Sequence, residues 1–106
     1  MEAYYEKHIQ ELKDALEMEM YLFKNAQSES EAEEISRDTT VLTLLLVKDL
    51  KSVLVRYASG KGKLACMTKT EILSMISPED LTLLVEHRAI KQIGSISYVP
   101  VYAVKW

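Results

Sequence analysis

Neither glycine nor proline occurs before Gly60. These two residues are the strongest breakers of regular structure, so nothing in the first 59 residues forbids helix. All three glycines (60, 62, 94) and both prolines (78, 100) fall in the remainder. There the elements are expected to be shorter and joined by turns. The chain of 106 residues has the size of one domain. The expected organisation is a single domain, with residues 1–35 as a helical arm and residues 36–106 as the folded core.

From about Ala3 to Asn25, the residues Tyr5, Ile9, Leu12, Leu16, Phe23 and Ala26 recur at alternating steps of four and three, with Glu19 at the missed position. Met20 and Leu22 widen this stripe. Glu6, Lys7, Glu11, Lys13, Asp14 and Glu17 occupy the other face. Such a helix either packs on the protein's own core or pairs with a second chain. The second choice makes Tyr5, Ile9, Leu12, Leu16, Met20 and Phe23 the oligomer interface.

The segment from Gln27 to Glu34 is polar and acidic. Ser28 with Glu31, and Ser30 with Glu33, have capping-box spacing. A loop followed by a helix start is expected, giving an antiparallel pair; one long helix with a solvated middle is the alternative. The second helix is expected from about Ser36 to Ser59. Between Val41 and Val47 its apolar residues run nearly all the way round, as in a central helix covered on several sides.

Gly60-Lys61-Gly62-Lys63 reads as a flexible loop without the spacing of a phosphate-binding P-loop. Leu64 to Met67 suits a short strand. Thr68 and Glu71 form a capping box for a helix through Ile76. Ser77-Pro78-Glu79-Asp80 then has an N-cap serine, proline at the first helical position and acids in the first turn. Residues Ala89 to Ile93 and Tyr98 to Val104 look extended, with the turn near Gly94-Ser95. Pro100 points to an edge strand. The fold class expected is mainly α with a small β-hairpin: a long helical hairpin followed by a winged-helix-like unit.

In its order of elements and caps, the segment TKTEILSMISPEDLTLLVEHRAIKQIG…YVPVYAV, with the helix before it, resembles the winged helix-turn-helix families of small transcriptional regulators. The resemblance implies a recognition helix beginning at Ser77, a wing from Lys91 to Val101, and dimerisation through added helices. A second resemblance covers residues 4–71. A long acidic helix opening on paired aromatics, a polar break, a leucine-rich helix ending in Ala-Ser-Gly-Lys and a Met-Thr-capped helix look like the helical A domain of GINS replication subunits. That likeness implies a protein-interaction subunit of a DNA-replication assembly.

Charge is distributed unevenly. Residues 1–34 hold 3 basic and 10 acidic side chains, residues 35–65 hold 6 and 2, and residues 66–106 hold 4 of each. Phosphate contacts dominate affinity for DNA, so double-stranded DNA is expected to meet the basic middle and the wing. Lys48, Lys51, Arg56, Lys61, Lys63, Lys69 and Lys91 are the candidate phosphate ligands. His87, Arg88 and Gln92 are the candidates for reaching the grooves. Glu79 and Asp80, at the start of the supposed recognition helix, oppose such contact and favour protein as ligand.

The remaining observations exclude function classes. Hydrophobic residues make up 48% and charged residues 27%, which excludes disordered, collagenous and disulfide-scaffold chains. Cys66 is the single cysteine, so no internal disulfide forms and a reducing, cytoplasmic setting is expected. No run of 18 apolar residues occurs, and MEAYYEKHIQEL lacks the basic and apolar regions of a signal peptide. Cys66, His8 and His87 stand apart without catalytic or metal-binding spacing. The expectation is therefore a non-enzyme without cofactor, metal or small-molecule substrate, pairing with itself or with a related subunit.

Overall fold

The structure, a computed structural model, describes residues 2–60 and 65–105, and of residues 2–6 the backbone alone. Its elements are α1 (Glu2–Lys24), α2 (Glu29–Tyr57), β1 (Ala65–Thr68), α3 (Lys69–Leu73), α4 (Pro78–Glu86), β2 (Lys91–Ile96) and β3 (Val99–Lys105). The chain is mainly helical, with one three-stranded antiparallel sheet in the order β1-β3-β2. It divides into two compact units, residues 1–49 and 50–106. The division falls inside α2, not at residue 35 or at Gly60, because α2 is one continuous helix contributing to both.

The first unit is a helical hairpin. His8 of α1 contacts Asp49 of α2, which sets the two helices antiparallel and excludes the single long helix. The break is short. Ser28 Oγ accepts the Glu31 amide at 3.1 Å, and the Glu31 carboxylate accepts the Gln27 amide at 3.4 Å. This cap starts α2 at Glu29, seven residues before the expected Ser36. The acidic run is thus helix, with Glu29 and Glu31 in the first turn, where carboxylates meet the positive end of the helix dipole. Farther along, Thr39, Thr40 and Thr43 donate their hydroxyls to the carbonyls four residues back, which satisfies these polar side chains without ending the helix. Among the described residues of this unit, Leu12, Ile35, Leu46 and Val47 are the buried apolar ones.

The second unit has a larger core. Leu50, Leu54 and Ala58 from the end of α2, Met67, Ile72, Leu84, Ile90, Ala103 and Val104 are almost fully buried. Helix α3 lies against β1, β3 and α4. Its start is a complete capping box: the Glu71 amide donates to Thr68 Oγ1 at 3.2 Å, and the Thr68 amide donates to Glu71 Oε1 at 3.1 Å. The helix stops at Leu73, three residues short of Ile76, with Ser74 as its C-cap. Ser77 caps α4 by accepting the Asp80 amide at 3.2 Å, with Pro78 at the first helical position.

Two expectations about the sheet are corrected. Pro100 lies in β3, the central strand and not an edge. Pairing of β1 with β3 stops at Thr68↔Val101. Pro100 therefore sits past the end of β1 and is flanked by β2 alone, so its missing N–H breaks no ladder on the β1 side. The hairpin turn is likewise not at Gly94-Ser95, which pair with Val101 and Pro100 inside the ladder. It is made by Ser97 and Tyr98, at φ 50° and 68°, the two left-handed residues of a type I′ turn.

Candidate nucleic-acid interface

Helix α4 ends in a Schellman motif. The Arg88 amide donates to the Val85 carbonyl at 3.1 Å and the Ala89 amide to the Leu84 carbonyl at 2.9 Å. Arg88 itself takes φ 56°, the left-handed position that glycine most often fills. Arg88 therefore lies beyond the last turn of α4 and does not continue a helical face. His87, Arg88, Lys91 and Gln92 are all exposed and fall in one stretch that runs from the C-cap of α4 into β2. The backbone thus gathers these four candidates at the base of the β2–β3 hairpin.

The other expected cations are dispersed. Lys51 and Arg56 lie about 140° apart around α2 at 3.6 residues per turn, with Lys48 between them, so the three span a broad face and not one narrow strip. Lys69, the first residue of α3, is exposed. Lys48 is exposed and belongs to the first unit. Lys61 and Lys63 lie outside the described residues.

The acidic objection to α4 is changed. Asp80 is only 7% exposed; its amide is engaged by the Ser77 cap, and its carboxylate sits in the first turn, where the helix dipole favours it. It therefore does not present its charge at the surface. The exposed face of α4 nevertheless carries Glu79, Thr82, Val85 and Glu86, without a cation. The exposed face of this helix is thus acidic, while Arg88 and Lys91 just after it are basic.

Beyond the base, every residue of β2 is exposed, and Tyr98 at the tip is 100% exposed. Ile93 and Ile96 are exposed with it. Ile93 stands at a register shift of the β2–β3 ladder. The sequence reading missed Ile96 and Tyr98 as surface residues, because Ser-Tyr lacks the glycine and asparagine that normally announce a two-residue turn.

The expected seam of α1 separates into two parts. Leu12 is 7% exposed, and Ile9 and Leu16 are half-buried. Leu12 is accordingly a core residue of the single chain and not a contact awaiting a second one. Met20 and Phe23 remain exposed and line an open apolar cleft of ≈ 290 Å³ with Lys24, Ser36 and Thr39. The side chain of Tyr5 lies outside the description. Leucine-rich α2 is also less covered than expected, with Val41, Leu44 and Leu45 exposed. Among the described residues, no group of three or more His, Cys, Asp or Glu side chains is placed to hold a metal ion. No helix among them is long and apolar enough to cross a membrane.

Against protein-family models, curated proteins and solved structures alike, the chain finds no match.

Proposed function

We propose that the protein is a non-catalytic, DNA-associated winged-helix protein of the transcriptional-regulator kind. It would meet duplex DNA with the wing and the segment feeding it, and not with the body of α4. The observation that carries this reading is the cluster His87, Arg88, Lys91 and Gln92 at the base of a fully exposed hairpin. Arg88 and Lys91 supply charge for phosphates. Tyr98, with two rotatable bonds and a large ring, offers a rigid tip for a groove wall. The reading carries with it a reducing, intracellular setting, in keeping with the single thiol of Cys66.

A second reading is supported by the exposed face of α4. Glu79 and Glu86 with the exposed Val85 suit a protein ligand better than a phosphate backbone. Under it the chain is an interaction subunit of a DNA-replication assembly, as its likeness to the GINS helical domain implies.

Titration of the full chain with short duplexes of unrelated sequence, over a range of salt concentrations, separates the two. Under the first reading, log affinity falls linearly with log salt, and Lys91→Ala lowers the slope by about 0.9. Absence of salt-sensitive binding at low ionic strength would overturn it in favour of the second.

A further inference from the structure

Helix α2 has two apolar faces between Ile35 and Leu46. One is used inside the chain, with Ile35 and Leu46 buried and Leu42 half-buried. The other carries Val41, Leu44 and Leu45 at i, i+3, i+4 spacing, exposed by 56%, 55% and 43%. The centres of the two stripes lie roughly 125° apart around the helix. Burial of apolar side chains is favourable by about 25 cal/mol per Å², and a contiguous apolar stripe left in water marks an interaction surface.

The charges beside the stripe indicate what covers it. Asp38 precedes Val41 by three residues, Val41 precedes Leu45 by four, and Leu45 precedes Lys48 by three. This spacing reads the same in both directions, while the end charges are opposite. All four side chains fall within about 80° of arc, and Asp38 and Lys48 are both exposed. We propose that the stripe is the contact of a two-fold homodimer in which α2 pairs antiparallel with α2 of a second copy.

A two-fold axis at the level of Thr43 places Val41 level with the second copy's Leu45 and leaves the two Leu44 side chains about 3 Å apart along the helix axes, on one flank of the contact. It also brings Asp38 level with the second copy's Lys48, and Lys48 level with its Asp38. An isologous contact requires such self-complementarity. A parallel pairing would instead bring aspartate to aspartate and lysine to lysine, which repel. The expected pairing of chains thus passes from α1, whose Leu12 is already buried, to α2. The contact involves only the first unit and does not depend on whether the second binds DNA.

The test is sedimentation equilibrium of the full chain, with circular dichroism to verify folding. An interface this small belongs to the low end of specific contacts, with a Kd of roughly micromolar order. Leu44→Glu and Leu45→Glu, at exposed positions, should keep the helical spectrum and raise Kd at least tenfold. Asp38→Lys and Lys48→Asp should each weaken the homodimer. An equimolar mixture of these two charge variants should restore dimer, since every level then pairs opposite charges. A wild-type chain that stays monomeric up to about 1 mM overturns the proposal. So does a dimer indifferent to both glutamate substitutions, or a mixture of charge variants no tighter than either alone.

Discussion

His8 on α1 contacts Asp49 on α2 through Nδ1 and a carboxylate oxygen. One end of the first helix is thereby tied to the far end of the hairpin, where the first compact unit stops. The turn at 25–28 brings the helices back on each other, and this pair holds their other ends in register. His8 is 39% exposed and Asp49 16%, so solvent screens the contact in part. In a double-mutant cycle of His8→Ala and Asp49→Ala, a coupling of about 0.5 kcal/mol is expected. Additive losses would remove the pair from the account of the hairpin.

Leu12 provides the sharpest contrast with the exposed stripe on α2. As a buried residue, its replacement by alanine should cost about 2–3 kcal/mol, read as an earlier loss of helical signal in urea. Leu45→Ala should change the stability of the monomer by no more than about 0.5 kcal/mol. Equal losses at the two sites would contradict the burial pattern of the first unit.

The caps of the second unit start α3 and α4, and Glu71 of the first also accepts the Tyr57 hydroxyl at 3.2 Å. Thr68→Ala removes one hydrogen bond of the capping box and Ser77→Ala removes the N-cap acceptor of α4. Each should lower stability by about 1 kcal/mol in urea denaturation. No loss at either site would place the start of α3 or α4 elsewhere.

Arg88 occupies a position that suits glycine. Arg88→Gly should stabilise the fold by up to about 1 kcal/mol, since a left-handed conformation costs an L-residue roughly that much. Under the DNA reading, the same variant should bind duplex less tightly. Rising stability with falling affinity is the pattern expected of backbone strain kept for function. Unchanged affinity would remove Arg88 from the interface.

The tip of the β2–β3 hairpin permits a parallel experiment. Tyr98→Gly relieves a φ of 68° on an aromatic residue and should raise stability by about 0.5–1 kcal/mol, because the fully exposed ring packs against nothing in the chain. A net loss of stability would mean that the ring stabilises the turn in some other way.

Local chemistry was legible in the residues alone. Thr68 with Glu71, and Ser77 before Pro78, identify helix starts because a cap satisfies orphan amides a few residues away. The run without glycine or proline predicts the long helices for the same local reason. Other features were not legible, because they depend on residues distant in sequence. Pro100 looked like an edge residue, but β1 ends one pair before it and leaves a central strand able to hold it. Asp80 looked like a surface acid until the turn of α4 carried it inward. Leu12 and Leu45 are equivalent in composition and in helical context. Only the return of α2 along α1 buries the first and leaves the second in water, because burial is a property of what lies opposite a side chain.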